Sequence, residues 1–148
     1  TVLEISLDDL GAHHELLDEV FGPLLVVARY SLITELPTAI RLLPGALTAT
    51  VHAEADDADA HVVLADLHEL AGRLVWNGYP TGVAVAWAQH HGGPWPSTNS
   101  IHTSVGATSI RRFLRPFAWQ NAPTDVLPAE LRDDHTGMPR RIDGRLHV

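Results

Sequence analysis

The order of the predicted elements indicates an α/β protein with a mostly parallel sheet. Short apolar runs alternate with amphipathic stretches, and single helical crossovers between strands favour parallel pairing. Residues 24–27 are continuously apolar, which is typical of a strand buried on both faces of a parallel sheet. Apolar residues recur every three or four positions from Ala60 to Leu74, as in a helix that covers such a sheet. Because ligands of these sheets bind beyond the carboxyl ends of strands, the residues that follow each strand are candidate site residues.

The first thirty residues predict two strands joined by a short helix. Residues 2–5 and residues 24–30 are apolar runs of strand length. Between them, Asp8 or Asp9 can cap a helix that extends to Leu17. The chain then passes through a corner before the second strand begins.

That corner carries Glu19 and Phe21. Pro23 fixes its own φ angle and biases Gly22 toward an extended backbone, so the corner is predicted to be stiff. A stiff corner suits side chains that hold a ligand. A solvated acid followed by a core phenylalanine explains the same residues without any ligand.

The middle of the chain predicts a further helix, strand, helix and strand. A helix within residues 32–43 is expected to begin at or just before Pro37, because proline is tolerated in a first turn but not in a helix interior. Residues 47–52 favour a strand. The amphipathic helix starts after three acids that suit a helix N-terminus and ends at Gly72. Residues 74–76 form the last strand of this series, so Asn77 lies at a carboxyl end.

The last third of the chain is rich in glycine and proline. Residues 82–88 can form a strand, and residues 90–98 form a backbone-dominated loop that lets another segment or a ligand approach closely. Helical spacing follows at residues 110–114, and a strand is predicted from Phe117 to Gln120. Residues 127–131 can hold one helical turn, and the remaining tail shows neither a helical nor a strand period.

The composition excludes several classes of function. The chain has 148 residues, a net charge of -8 and only 10 Lys and Arg. This composition argues against nucleic acid as a partner, because binding its phosphates requires clustered cations. It has no cysteine, so disulfides, thiolate metal sites and a cysteine nucleophile are excluded within it. The ten histidines form no recognisable ligand set, so no metal is expected. No apolar run reaches the length of a membrane span and no leader is apparent, so a cytoplasmic location is expected.

Several motifs together resemble the NAD(P)-dependent aldehyde dehydrogenases. Glu19-Val20-Phe21-Gly22-Pro23 is similar to their Glu-x-Phe-Gly-Pro segment, and residues 47–52 resemble a later strand of the family. The loop Gly92-Gly93-Pro94-Trp95-Pro96 resembles that of the α-ketoglutaric semialdehyde dehydrogenase branch, as do Thr103-Ser104-Val105-Gly106 and Arg112-Phe113-Leu114-Arg115-Pro116. The resemblance covers nearly the whole chain, in family order, and corresponds to the distal portion of these enzymes.

The resemblance implies roles for four residues. Glu19 would hydrogen-bond the ribose hydroxyls of NAD or NADP, and Phe21 would pack near the nicotinamide. Asn77 would contribute to the substrate pocket, although a structural hydrogen bond explains it almost as well. His91 stands where many family members have an aromatic residue that lines this pocket, and this difference leaves the chemistry of the pocket open. The resemblance also implies that residues 82–88 form an extended loop, which we favour over a strand.

The resemblance further implies a division of the chain and an activity. Residues 1–116 would be the distal part of a three-layer catalytic domain, and residues 117–148 an oligomerisation strand and tail that make a homo-oligomer. The family oxidises aldehydes with NAD(P)+ through a cysteine thiohemiacetal, and this branch converts 2,5-dioxopentanoate to 2-oxoglutarate. No catalytic residue of that scheme lies in this chain, which therefore looks cut out of something longer. We expect it to be inactive alone and to bind NAD(P)+ poorly.

Two other functions compete with this one. A non-catalytic α/β interaction module that dimerises through the strand from Phe117 to Gln120 would explain the missing cysteine. A histidine-rich metal hydrolase is the weaker alternative, because no His-x-x-x-His pair is accompanied by a suitable acid.

Overall fold

Two pairs of parallel strands organise the larger of two compact units. The computed structural model describes residues 1–148, which divide into units Thr1–Leu114 and Arg115–Val148. In the first unit, β1 (Val2–Ser6) pairs in parallel with β2 (Leu25–Arg29), and β3 (Ala49–Val51) with β4 (Leu74–Trp76). The predicted α/β class with parallel strands is therefore confirmed. The strands form two separate two-stranded sheets.

The first crossover contains a short helix whose cap differs from the prediction. Helix α1 (Leu7–Ala12) is followed by a 3-10 turn at His14–Leu17. The N-cap is Ser6, whose hydroxyl accepts a hydrogen bond from the backbone N–H of Asp9, while Asp9 Oδ2 accepts one from the Ser6 N–H. The prediction that Asp8 or Asp9 caps the helix was wrong, because serine at the end of β1 forms a reciprocal capping box with Asp9.

Helices α2 (Leu36–Ile40) and α3 (Ala58–Leu70) pack against each other. Pro37 lies in the first turn of α2, as predicted. Asp57 caps α3 by accepting a hydrogen bond from the Asp59 N–H at 2.9 Å. The apolar stripe of α3 is the centre of the core. The buried apolar residues of the chain are Leu10, Ala39, Ala60, Val63, Leu67 and Ala71.

The second strand is much more exposed than its sequence indicates. All its side chains are half-buried or exposed, and Leu25 is 58% exposed. The prediction of burial on both faces was wrong for this chain. A parallel strand is buried on both faces only where layers cover a wider sheet, and β2 has a single neighbour.

Loops make up most of the rest of the first unit. Residues 82–88 form no strand, so the loop was the correct alternative. The predicted helix near residue 110 is a 3-10 helix at Ser109–Phe113. No helix of the structure is both long and apolar enough to cross a bilayer.

The second unit departs from the sequence prediction in two places. Residues 117–120 form no β ladder, because an isolated strand has no partner for its backbone groups, so the predicted strand is absent from this structure. The tail, in which no period was found, holds an antiparallel hairpin of β5 (Arg140–Ile142) and β6 (Arg145–His147). Its turn is Asp143-Gly144, where both residues have positive φ, the geometry that favours tight hairpins. One 3-10 turn, Ala129–Leu131, falls in the segment predicted to hold a helical turn.

Candidate functional site

The loop after residue 90 is held at both ends by a buried threonine. The backbone N–H of His91 donates a hydrogen bond to Thr103 Oγ1 at 2.8 Å. The Thr103 hydroxyl in turn donates to the carbonyl oxygen of Val105 at 2.7 Å. Thr103 is 3% exposed, so this hydroxyl is satisfied in both its donor and acceptor roles inside the protein. The two ends of the intervening loop, at His91 and Thr103, are therefore joined by a hydrogen bond.

Ser104 adds a second set of contacts to His91. Its backbone N–H donates to the His91 carbonyl oxygen at 3.2 Å, and its Oγ lies 3.0 Å from both that oxygen and His91 Nδ1. Because a hydroxyl has one proton, donation to the carbonyl requires Nδ1 to carry hydrogen and donate to Oγ. That arrangement leaves Nε2 as the free nitrogen of the imidazole.

Three glycines allow the loop to lie directly on the backbone of the first unit. A Cβ on Gly72 would overlap the carbonyl of Gly92, and a Cβ on Gly93 would overlap the carbonyl oxygen of Ala46. A Cβ on Gly45 would lie 2.5 Å from the carbonyl oxygen of Trp95. Residues 46 and 71 are joined by a parallel bridge, so the loop is packed against this continuation of the β3–β4 pair. The glycine-rich loop therefore makes the close backbone approach that its sequence predicts, and it approaches another segment of the same chain.

Two adjacent open clefts are lined in part by this loop. The first, which we call the loop cleft, has a volume of about 410 Å³. The second, which we call the corner cleft, has a volume of about 600 Å³. The two clefts share Leu47, Pro96 and Ser97. The remaining lining of the loop cleft is His91, Gly92, Trp95, Thr98, Asn99, Ser104 and Arg112. The predicted residues Glu19 and His91 therefore line adjacent clefts.

The corner cleft is suited to hydroxyl groups and unsuited to phosphates. Glu19 lines it beside Asp18, and no cationic side chain is among its lining residues. A carboxylate accepts hydrogen bonds from ribose hydroxyls, as in dinucleotide sites. Two carboxylates without a cation repel a pyrophosphate. The residues present thus fit the ribose end of a nicotinamide nucleotide and do not supply a site for its phosphates.

Phe21 projects from the corner with its ring in solvent. It is 95% exposed, and it lines neither cleft. Two consecutive tight turns surround it, with Gly22 N–H donating to Val20 O and Leu24 N–H donating to Gly22 O, both at 2.8 Å. These local hydrogen bonds and Pro23 support a stiff backbone here.

Asn77 follows β4, and its side chain is hydrogen-bonded to Ala53, which follows β3. Asn77 lines neither cleft. Its Oδ1 accepts a hydrogen bond from Ala53 N–H at 2.9 Å, and its Nδ2 donates to Ala53 O at 2.7 Å. Its φ is positive, at 48°, a conformation that asparagine tolerates better than most residues. The structural hydrogen bond considered for this residue is therefore present.

The sequence alone did not predict a site role for two residues of the loop cleft, Trp95 and Ser104. The local cluster of arginines was visible near residue 112, but which of them faces a cleft depends on the 3-10 turn at Ser109–Phe113. Ser104 and His91 lie at opposite ends of a long loop, so no short sequence pattern predicts the contacts between them.

Two known proteins resemble most of this chain. The chain is 47% identical over 130 residues to α-ketoglutaric semialdehyde dehydrogenase 2 of Azospirillum brasilense, an alignment that covers 86% of this chain and 25% of that protein. It is 44% identical over 126 residues to α-ketoglutaric semialdehyde dehydrogenase of Acinetobacter baylyi, covering 84% of this chain and 24% of that protein. The chain thus spans about a quarter of the length of these relatives. No protein-family model matches it.

Proposed function

Because this chain is homologous over most of its length to part of the aldehyde dehydrogenases, we propose that it forms the distal part of the catalytic domain of such an enzyme. The observation that carries the proposal is 47% identity over 86% of the chain. The whole protein would oxidise an aldehyde, and both relatives' names favour 2,5-dioxopentanoate, whose oxidation gives 2-oxoglutarate. In the whole enzyme, the two short parallel sheets would belong to one mostly parallel, three-layer structure.

The chain contributes binding surfaces to this reaction and no nucleophile. A cysteine thiolate would attack the aldehyde carbonyl to give a thiohemiacetal, which would become a thioester by loss of a hydride and a proton. The thioester would then be hydrolysed with the help of a general base, releasing the acid and the thiolate. Bound NAD or NADP would supply the acceptor for the hydride. Because this chain has no cysteine, the thiolate must come from residues outside it, and the chain alone is expected to be inactive.

Glu19 and Phe21 are proposed to bind the cofactor. The exposed Glu19 carboxylate lines an open cleft without cations, which supports a role in accepting hydrogen bonds from ribose hydroxyls. The exposed ring of Phe21 provides an apolar surface for the nicotinamide. Since no phosphate site accompanies them, the chain alone is expected to bind NAD(P)+ weakly.

The substrate is proposed to bind in the loop cleft, which adjoins the corner cleft. His91 lines the loop cleft and is fixed by Thr103 and Ser104, which supports its assignment to the substrate pocket. Asn77 retains a proposed place near that pocket, with its amide held by Ala53.

The experiment that tests the function compares this chain with the protein encoded by its full reading frame. We expect the longer protein to reduce NAD+ or NADP+ in the presence of 2,5-dioxopentanoate, and this chain to give no turnover. In the longer protein, Glu19→Gln should raise the KM for the nucleotide with little change in the KM for the aldehyde, because the amide is a weaker acceptor for two ribose hydroxyls. A longer protein with a cysteine but no activity on any aldehyde would overturn the proposal.

A non-catalytic interaction module is the second candidate. It is favoured by the absence of cysteine and by the exposed aromatic pair Phe117 and Trp119, whose rings lie edge to face with centroids 5.4 Å apart. In either case we propose that the segment from Phe117 to Gln120 joins copies of the chain into a homo-oligomer, because exposed aromatic side chains are typical anchors of interfaces. A reading frame little longer than these residues would favour the module over the enzyme.

A further inference from the structure

The loop cleft differs in charge from the other large clefts of the first unit. In a chain with a net charge of -8, it is lined by no carboxylate. Four other clefts are each lined by a pair of carboxylates, namely Asp8 and Glu35, Glu15 and Asp18, Asp18 and Glu19, and Asp66 and Glu69. Two of them also contain an arginine, but Arg29 is ion-paired with Glu4 and Arg41 with Asp66. A negatively charged ligand is therefore repelled least at the loop cleft.

Arg112 supplies the loop cleft with an uncompensated positive charge. The ion pairs of the structure join His13 to Glu15, Arg29 to Glu4, and Arg41 to Asp66. The guanidinium of Arg112 takes part in none of these ion pairs and makes no side-chain hydrogen bond. Asn99, on the same cleft, likewise has a side-chain amide with no protein partner. Both groups are donors that a ligand can use without breaking an existing contact.

His91 can supply a further donor. In its protonated form, Nδ1–H donates to Ser104 Oγ and the Ser104 hydroxyl donates to the His91 carbonyl oxygen, so both of these protons are used within the protein. The proton on Nε2 is then left for a ligand.

We propose that the loop cleft binds the carboxylate of a small oxo acid, with Arg112 and His91 as its charged donors. The identity of the oxo acid as the aldehyde substrate rests on the proposed function, whereas binding of the carboxylate does not. The volume of about 410 Å³ lies in the range of small-molecule sites. A single permanent cation in a forked geometry matches a singly charged, planar carboxylate better than it matches a phosphate, which carries more charge.

The binding is tested on this chain with 2-oxopentanoate, which has the carbon chain of the proposed substrate but no aldehyde. The indole N–H resonance of Trp95, which lines the cleft, reports local binding in an NMR titration. Arg112→Gln should weaken binding by about tenfold or more, the usual effect of losing a charged hydrogen-bond donor. Arg111→Gln is the matched control: Arg111 is the adjacent exposed arginine and lines none of the large clefts, so its loss should change the affinity less than twofold or so.

Two comparison ligands separate the sources of binding. The methyl ester of 2-oxopentanoate, which has no charge, should bind much more weakly than the acid and should be insensitive to Arg112→Gln. Inorganic phosphate should also bind more weakly than the acid. Equal binding of phosphate through Arg112 would make the cleft a general anion site and overturn the assignment to a carboxylate. The proposal also fails if 2-oxopentanoate causes no shift at millimolar concentrations, or if the two arginine variants behave alike.

Failure of this proposal and failure of the proposed function give different results. If the longer protein oxidises aldehydes and Arg112→Gln leaves its KM for 2,5-dioxopentanoate unchanged, the carboxylate site is wrong and the dehydrogenase stands. If the chain binds 2-oxopentanoate through Arg112 and the longer protein oxidises no aldehyde, the site stands and the dehydrogenase is wrong. In the longer protein we expect Arg112→Gln to raise the KM for 2,5-dioxopentanoate and not that for uncharged pentanal.

Discussion

Asn77 shows how one residue can satisfy several structural demands at once. It follows β4, adopts a positive φ, and uses both polar atoms of its amide to hold Ala53, which follows β3. Its own backbone N–H donates to Val51 O at 2.9 Å, so the ladder continues to the last residue of β3. Asparagine suits this position because its short amide reaches a neighbouring backbone and its backbone tolerates the left-handed region.

Replacing Asn77 should therefore destabilise the first unit. Asn77→Ala removes two hydrogen bonds and places alanine at positive φ, which should lower the free energy of unfolding by about 1–3 kcal/mol. Asn77→Gly keeps the conformation and loses only the hydrogen bonds, so it should cost less than Asn77→Ala. Urea unfolding measures both, and equal stability of all three proteins would show that the amide bridge contributes nothing.

Asp9 provides a pH-dependent contribution to helix α1. The Ser6 hydroxyl and the Ser6 backbone N–H both donate to its carboxylate and lower the pKa of Asp9 below its usual range. Because the folded pKa is depressed, the stabilisation is complete above the unfolded value, near pH 4, and is lost as the pH falls through the folded value. NMR titration of the carboxyl carbon should give a lower pKa than in Ser6→Ala, where Asp9 loses the hydroxyl donor. An unchanged pKa in Ser6→Ala would refute the contribution of the hydroxyl.

At the scale of elements, the glycine-rich loop depends on backbone contacts as much as on side chains. Gly72 and Gly93 permit contacts that a methyl group would exclude, and the Thr103 hydroxyl closes the ends of the loop. The β3–β4 pair and its continuation at residue 46 form the platform on which the loop lies. The position of His91 therefore depends on packing that is remote from it in sequence.

A methyl group at Gly72 should dislodge this loop. Gly72→Ala places a Cβ into the Gly92 carbonyl, so relief requires a backbone shift that costs about 1–3 kcal/mol. Gly82→Ala is the matched control, because nothing lies within 4 Å of its Cβ, and it should change stability by less than about 0.5 kcal/mol. Thermal unfolding gives the stabilities, and the Trp95 indole resonance reports the loop. Equal effects of the two substitutions would contradict the packing described here.

The sequence predicted local elements well where the signal was local. Asp57 before the apolar stripe of α3, Pro37 in the first turn of α2 and the apolar run at residues 24–27 act through neighbouring residues, and each marked its element correctly. The Asp143-Gly144 hairpin signal was also local and was overlooked, because the flanking strands contain arginines in place of an apolar period. The contacts of Thr103 and Ser104 with His91 join the two ends of a long loop, so no short-range pattern could predict them.

At the scale of the whole chain, the core is small for the length. Six apolar residues are buried, and no large side chain is completely buried. None of the side chains from Arg115 to Val148 is buried, although this segment includes Phe117, Trp119 and Leu131. Exposed aromatic side chains in quantity are typical of surfaces that are covered by further protein.

This exposure predicts self-association that depends on the aromatic pair. Phe117→Ser together with Trp119→Ser should shift the chain toward monomer in sedimentation velocity, because the apolar anchors of the interface are lost. Trp87→Ser is the control, since Trp87 is an exposed tryptophan of the first unit, 78% exposed, and should leave the association unchanged. A chain that is monomeric before substitution, or association that responds equally to the control, would contradict the proposed interface.

The closed ends of the His91 loop have a consequence for how this site can diverge. Once the ends are joined through Thr103, residues at the tip can change in size and polarity without altering where the loop enters and leaves the fold. Trp95, Thr98 and Asn99 lie on this tip, while the groups that anchor it lie at its base. Substitutions at a few positions of the tip can therefore change which ligand binds, while the residues at the base preserve folding stability. Ligand preference and stability thus depend on different residues.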